Sequence, residues 1–353
     1  MTVHASRKPV NVRTKSPPLR FGVLGCADIA WKRTLPALRR LSGVKLVAVA
    51  SRDRAKAKRF CAEFGGVPVT GYAELLEMPE VDAVYVALPA ALHHPWALRA
   101  LEAGKHVMVE KPLATRLGQT RELVEQALDR GLWLTENFSF LHHPLHARVR
   151  SLLDGGAVGE PLVFASAFGI PPRSGDDIRY RADLGGGALL DVGTYPLRAA
   201  QAFLDAELDL LGSVLRIDRE RQIDLGGSAL LCSADGVSVE LTFSFQSSYR
   251  STYAMWGTEG RLTVERGFSL PGDMTARIRV ERQGRAEEIA VPPCDQFAAA
   301  IRAFAGAVRD QEDFKAHSRD LLRQAELVEA ISGRAHRVTV SPLAAADPRN
   351  SGG

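Results

Sequence analysis

The stretch Leu19-Arg20-Phe21-Gly22-Val23-Leu24-Gly25-Cys26-Ala27-Asp28-Ile29-Ala30 constrains this chain more than any other. It reads as a short apolar strand that runs into a tight turn of small residues and then into a helix, the arrangement that lays a pyrophosphate on a helix N-terminus. Gly25 supplies the turn, and Ala27 and Ala30 stand where a dinucleotide fingerprint has its second and third glycines. Helix–strand packing tolerates the methyl of Ala30, whereas the methyl of Ala27 pushes the phosphates slightly outward. The alternation then continues, with apolar strands expected at 21–24, 45–50, 83–88, 106–109 and 133–136 and helical runs at 33–41, 54–64, 95–103 and 117–130. Near-continuous apolar strands between helices predict a parallel sheet covered on both faces, over residues 19–140.

From residue 141 the rhythm changes. A helix at 145–153, a strand at 161–168, a glycine-rich turn and a helix at 190–203 precede strands expected at 209–218, 228–234, 237–246, 251–257, 260–265, 276–281 and 286–291. Such a run predicts an open, mostly antiparallel sheet over 141–341, with helices at 296–309 and 319–332 covering one face. The fold class is therefore α/β in two domains, which 353 residues suffice to build. Residues 1–18 are expected to be a disordered leader and 342–353 a flexible tail.

Charge and cysteine usage exclude several partners. The net charge of +4 is largely that of Arg7, Lys8, Arg13, Lys15 and Arg20, and no basic stripe interleaved with aromatics points to nucleic acid. No segment has the length of a membrane span, and the leader lacks an apolar signal region. Cys26, Cys61, Cys232 and Cys294 lack the close pairing that zinc or a disulfide scaffold needs. Reduced thiols and a cytoplasmic location follow as the expectation.

At the end of the second strand stand Ser51 and Arg52, a hydroxyl and a guanidinium that suit a 2′-phosphate and hence NADP(H); Asp53 next door keeps NAD open. Leu88 and Pro89 end a strand at the carboxyl edge of the sheet, where ligands bind in open α/β folds. Glu110-Lys111-Pro112 follows a buried strand, so Lys111 reaches the crevice above that edge, where it can stabilise a developing alkoxide and where desolvation lowers its pKa. The glycines of Gly185-Gly186-Gly187-Ala188-Leu189-Leu190-Asp191 let the chain approach the cofactor. Asp191 and Tyr195 are four residues apart and share a face if that segment is helical. A phenol is a poor base at neutral pH unless a cation lowers its pKa, so Tyr195 beside Lys111 suits giving a proton to a ketone. Asp191 binds substrate hydroxyls or orients Lys111, with helix capping as the alternative. His142, His143 and His146 have no accompanying metal-ligand pattern, so no metal is expected and substrate or surface roles remain. Arg33, Arg179, Tyr180 and Tyr249 are candidates for holding a diphosphate or stacking on a base.

The motif of residues 25–31, Glu136-Asn137-Phe138, Leu141-His142-His143-Pro144 and the 185–196 segment, taken with Glu110-Lys111-Pro112, resemble the glucose-fructose oxidoreductase, inositol dehydrogenase and rhizopine catabolism family. Within it they look like the bacterial nucleotide-sugar 3-ketoreductases of deoxysugar biosynthesis. The resemblance implies a Rossmann domain whose cofactor touches residues 25–30, Ser51, Arg52, Leu88, Pro89, His93, Glu110 and Lys111, with the proline loop and His93 bordering the nicotinamide and its ribose. It implies a frequently cis Lys111–Pro112 bond, a tyrosine at position 195 where the family more often has histidine, and Asn137 and His142 near the substrate. It also implies an open sheet face packed against a second subunit, as a homodimer or homotetramer. The implied reaction is NADPH-dependent reduction of the 3-keto group of a dTDP-linked keto-deoxysugar, within antibiotic sugar biosynthesis. An aldose or dihydrodiol dehydrogenase and a non-catalytic NADP-binding regulator are the alternatives.

Overall fold

The computed structural model describes residues 17–204 and 206–341. The tail expected at 342–353 and the leader expected at 1–18, apart from Pro17 and Pro18, lie outside the described residues. Strands β1 (Leu19–Leu24), β2 (Val44–Ser51), β3 (Val67–Thr70), β4 (Ala83–Val86), β5 (His106–Glu110) and β6 (Leu134–Asn137) form one sheet in the order β3-β2-β1-β4-β5-β6. All its pairings are parallel. Val23, Leu24, Val84, Val86, Val107 and Val109 are fully buried, as strands covered on both faces require. The chain order reverses between β1 and β4, which opens a crevice beyond their carboxyl ends.

The covering helices are α1 (Leu35–Arg40), α2 (Arg54–Phe64), α3 (Ala73–Leu76), α4 (His93–Glu102) and α5 (Leu117–Arg130). The helix expected at 33–41 instead begins as a π-turn at Ala30–Thr34 and continues as α1. β3 escaped the sequence reading because Val-Pro-Val-Thr is a mostly exposed edge strand with a proline and no apolar alternation.

The second sheet contains β7 (Pro161–Gly169), β8 (Leu208–Asp218), β9 (Asp224–Ser233), β10 (Ser238–Ser244), β11 (Arg250–Gly257), β12 (Gly260–Val264), β13 (Ala276–Arg282), β14 (Arg285–Val291) and β15 (His336–Val340). Their order is β14-β13-β12-β11-β7-β10-β9-β8-β15. It is open and mostly antiparallel, with parallel pairs at β7–β10 and β8–β15. β15 was not expected, since four of its five residues are exposed and carry no core pattern. The inner face, with Phe164, Leu241, Phe243, Tyr253 and Leu262, packs with Leu197 and Ala200 of α7 (Thr194–Phe203), while α6 (Pro144–Asp154) adds Leu145 and Val149. On the opposite face the cross-strand neighbours Val163–Trp256, Ala165–Ala254 and Ala167–Thr252 make a row of small and apolar side chains in which Trp256 is 58% exposed.

The last two helices depart from the arrangement expected from the sequence. The helices α8 (Gln296–Asp310) and α9 (Phe314–Gly333) do not both cover the second sheet. Ala298, Ala300, Ile301 and Phe304 of α8 pack with Phe21, Val23 and Val49 on the first sheet, and the Phe304 ring lies 5.6 Å from that of Phe21. α1 has only six residues and cannot cover that face alone, so the apolar stripe of α8 completes it. α9 straps the two domains, with Phe314 and Leu321 in the first core and Leu327 and Ile331 in the second.

Phe304→Ala is therefore expected to cost about 3–5 kcal/mol, because it empties a buried site between α8 and β1. Urea unfolding followed by circular dichroism measures the loss, and a neutral effect typical of an exposed position contradicts this packing.

Candidate active site

The turn after β1 works because Gly25 has φ +102° and no side chain: a Cβ there would lie 2.3 Å from the Ala87 carbonyl oxygen. Only glycine lets the ends of β1 and β4 come this close at the crevice. Two pockets meet over the turn. One is lined by Gly25, Cys26, Ala27, Ser51, Arg52, Asp53, Leu88 and Pro89, together with Lys56 and Tyr72, which the sequence reading missed. The i, i+4 spacing of Arg52 and Lys56 was a signal for the second cation; Tyr72 follows the unrecognised β3. Asp53 caps α2, with Oδ1 accepting from the Ala55 and Lys56 amides at 2.8 and 3.3 Å, so this carboxylate is committed to the helix. Arg52 remains exposed at the pocket.

The other pocket brings Ala27, Asp28 and Ile29 together with Leu88, Pro89, His93, Glu110, Lys111, Arg179, Asp191 and Tyr195. Ile178, 51% exposed, lines both pockets and so sits where they join. Ala30 is buried behind the turn, and Arg33 is exposed and lines neither pocket.

β5 delivers Lys111 to this pocket, and the Lys111–Pro112 peptide is cis. Its Nζ donates to Asp191 Oδ1 at 2.5 Å and to the Asp191 carbonyl at 2.7 Å. The other carboxylate oxygen, Oδ2, accepts from Arg179 Nε at 2.7 Å, and Arg179 Nη1 in turn donates to Asp177 Oδ1 at 3.1 Å. Asp191 thus holds two cations and does not cap its helix. The Lys111 ammonium stands 5.2 Å above the centre of the Tyr195 ring, which is walled by Phe138, Phe140, Phe168 and Phe268. A π-turn at Leu189–Gly193 followed by α7 puts Asp191 and Tyr195 on one side of the segment.

These contacts set the protonation states. Burial pushes the Tyr195 phenol up to about 12, against the opposing pull of Lys111. Burial also works to raise Asp191, but Lys111 and Arg179 bring its carboxyl down to about 2. Lys111 corrects the sequence expectation: desolvation favours the neutral amine, yet Asp191, with Tyr195 and Glu110, outweighs it and holds the ammonium above its ordinary value. The opposite charge at hydrogen-bond distance wins over burial.

Behind the pocket, Glu110 Oε1 accepts from Tyr85 Oη and from Asn137 Nδ2, each at 2.7 Å, and Thr34 Oγ1 donates to Tyr85 Oη at 3.0 Å. Asn137, expected at the substrate, is 4% exposed and supports Glu110 instead. His93 is buried with its ring nitrogens 2.6 and 2.7 Å from the Pro112 and Leu88 carbonyls, so it ties together the two loops that floor the site. The three clustered histidines point apart: His142 is exposed, His143 Nδ1 accepts from the Leu145 amide, and His146 Nδ1 meets Tyr253 Oη at 2.9 Å. Tyr180 accepts from the Arg173 amide and packs on Phe245. Tyr249 is 41% exposed, with Arg266 over its ring, and its ring meets Phe168, one of the rings that wall Tyr195. Gly185 and Gly186 line the same pocket as Lys111 and Tyr195, and their bare faces also let the run pack closely on protein: a Cβ would lie 2.9 Å from the Ala91 amide at Gly185 and 2.5 Å from the Arg179 carbonyl at Gly186.

Comparison with known proteins agrees with this architecture. Residues 19–138 match an oxidoreductase family with an NAD-binding Rossmann fold, and residues 146–263 match the GFO/IDH/MocA C-terminal domain. The chain is 52% identical to a dTDP-3,4-didehydro-2,6-dideoxy-alpha-D-glucose 3-reductase of Actinomadura kijaniata, over 89% of this chain and 95% of that protein. A reductase of the same name from Streptomyces violaceoruber is 48% identical, over 91% and 97% of the two chains. Among solved structures, the 3-ketoreductase KijD10 of Actinomadura kijaniata in complex with NADP and TDP-benzene has a TM-score of 0.89 and 50% identity, covering 92% of this chain and 99% of its own. The likeness runs through both domains: the chain belongs to the GFO/IDH/MocA family of oxidoreductases.

Proposed function

We propose that this protein reduces the 3-keto group of a dTDP-linked keto-deoxysugar with NADPH, as a step of deoxysugar biosynthesis that feeds antibiotic assembly. The observation that carries the reading is the junction of two pockets: Arg52, Lys56 and Ser51 at one end, and the Lys111–Asp191–Arg179 cluster with Tyr195 at the other, joined over the turn of residues 25–29. Its similarity to reductases named for a dTDP-linked 3,4-didehydro sugar supports the substrate class, and the NADP in the KijD10 structures supports the cofactor.

The residues present fit NADP. Gly25 leaves no Cβ over the turn, Asp53 is tied to α2 and does not compete for the ribose hydroxyls, and Arg52 and Lys56 supply cations for a 2′-phosphate. When bound, NADPH supplies the hydride. The protein's part is to hold the ketone, stabilise the charge that develops on its oxygen and deliver a proton there. Lys111, kept as an ammonium by Asp191, offers a fixed positive charge and an N–H donor. Tyr195 keeps its proton at working pH and gives it to the alkoxide, whose basicity exceeds that of the phenolate. Arg179 holds the far side of Asp191, so the carboxylate does not follow the ammonium when Lys111 turns toward substrate. His93, Asn137 and Tyr85 act through Leu88, Pro112 and Glu110 as positioning residues. A second copy of the chain, in a homodimer or homotetramer, covers the outer face around Trp256, and the four free cysteines suit the cytoplasm.

NADPH should exceed NADH in kcat/KM, and Arg52→Ala should erase roughly tenfold or more of that preference by removing a charge-assisted contact. Steady-state kinetics with both cofactors decides it; an unchanged preference removes the argument.

Tyr195→Phe and Lys111→Met should each lower kcat, by up to about 10²–10⁴-fold, with little change in NADPH affinity. Because burial raises Tyr195 to about 12, wild-type reduction should show no alkaline loss of kcat near neutrality. A kcat limb at mildly alkaline pH that vanishes in Tyr195→Phe contradicts the protonated phenol.

Product analysis with a dTDP-linked 3-keto sugar generated in situ, beside free xylose and a dihydrodiol, tests the substrate. Reduction of the nucleotide-linked ketone is expected. Turnover of only the free sugar or the diol indicates a dehydrogenase, and tight NADPH binding without any turnover indicates a regulator.

A further inference from the structure

The segment that carries Asp191 and Tyr195 begins without a capping residue of its own. Gly185-Gly186-Gly187-Ala188 precedes it, and Ala188 at the N-cap has no side chain to accept from the first-turn amides. Those amides are orphans of the first helical turn and need an acceptor once buried. Asp224, the first residue of β9, supplies one from another part of the chain: its Oδ2 accepts from the Leu189 amide at 2.6 Å. The approach depends on Gly187, which has φ +124° and whose added Cβ would lie 2.3 Å from Asp224 Oδ1. The bare glycine face and the incoming carboxylate are therefore one arrangement. Asp224 lines neither of the two pockets over the cofactor turn, but faces a cleft behind the catalytic segment.

We propose that Asp224 is a positioning residue for the reaction, which fixes the height and rotation of the catalytic segment by capping its N-terminus through Leu189. A carboxylate at that end also complements the partial positive charge of the helix start. Asp191 and Tyr195 lie two and six residues beyond Leu189, so a shift at the cap moves both groups against Lys111, which is anchored in the other domain. The inference rests on the ketoreductase reading for its kinetic arm, and is therefore given a second arm that needs no substrate.

Charge state enters through burial, which pushes the Asp224 carboxyl up to about 6 against the Leu189 amide and the pull of Arg337 on β15. Arg116, Glu136, Asp183 and Glu329 are the other charged groups along the same cleft. Protonation weakens the cap, so its contribution to turnover is present above about pH 6 and fades below it. Glu136, raised to about 7 by burial, belongs to a different element, and any limb it causes survives a change at Asp224.

The test compares wild type, Asp224→Ala and Asp224→Asn as full-length proteins. In Asp224→Ala, hydrogen exchange read by mass spectrometry should accelerate in the peptide spanning 188–195 while that over β5 is unchanged. Its kcat should fall by about 10- to 100-fold, the scale of a misplaced catalytic group, with NADPH affinity retained. Asp224→Asn still accepts through its amide oxygen, so it should recover most of that kcat at pH 8 and lack the acid limb near pH 6. Wild-type exchange in Asp224→Ala, or an unchanged acid limb in Asp224→Asn, overturns the proposal. If Asp224→Ala does not fold, the Asn variant and its pH profile carry the test. A wild type that reduces no keto sugar sinks the ketoreductase reading alone, since the exchange arm still reports on the cap.

Discussion

The contact between Lys111 and Asp191 is the one on which the rest of the site depends. It joins the turn after β5 of the first sheet to the first helical turn under the second sheet, so the two domains meet through opposite charges inside the pocket. Burying such a pair is costly unless further hydrogen bonds satisfy both groups. Here the ammonium also donates to the Asp191 carbonyl, and the remaining carboxylate oxygen is held by Arg179. The pair is worth more as a device for fixing charge and direction than as a source of stability, and it turns a residue whose burial favours neutrality into a permanent cation.

Around it the protein is arranged by contrast. On one side of Lys111 lies a polar ladder of Glu110, Asn137, Tyr85 and Thr34; on the other lies a phenylalanine cage around Tyr195. The apolar cage withholds solvation from a phenolate and keeps the proton on oxygen. The polar ladder keeps Glu110 in place beneath the crevice. Two groups that could both release a proton are thus separated in character, one held as a charge and one as a neutral acid.

What the sequence made legible was local. Gly25, the Lys111 tripeptide and the Asp191–Tyr195 pair each announce themselves within a few residues, and the alternation of strands with helices reports the first sheet by its apolar runs. What it concealed was decided across long separations. Asn137 reads as a substrate ligand until Glu110 is found 2.7 Å away, and Lys111 reads as a weakened base until Asp191 is placed beside it. The destination of α8 was invisible for the same reason, since an amphipathic stripe shows that a face is buried but not against which sheet. β15 carried no pattern at all, being an exposed edge strand held by its neighbour's backbone.

The return of α8 to the first sheet bears on how this protein comes into being. The strands of that sheet are complete by Asn137, yet Phe21, Val23 and Val49 are only partly covered, by Leu35, Leu38 and Phe60, until residues 296–310 have been made. The nascent chain therefore holds an unfinished apolar face for the length of an entire second domain, an exposure that invites aggregation and chaperone attention. A fragment ending near residue 140 is a sheet with one side only partly covered, and the unit that evolution or an engineer can transplant is the first sheet together with a helix encoded at the far end of the gene.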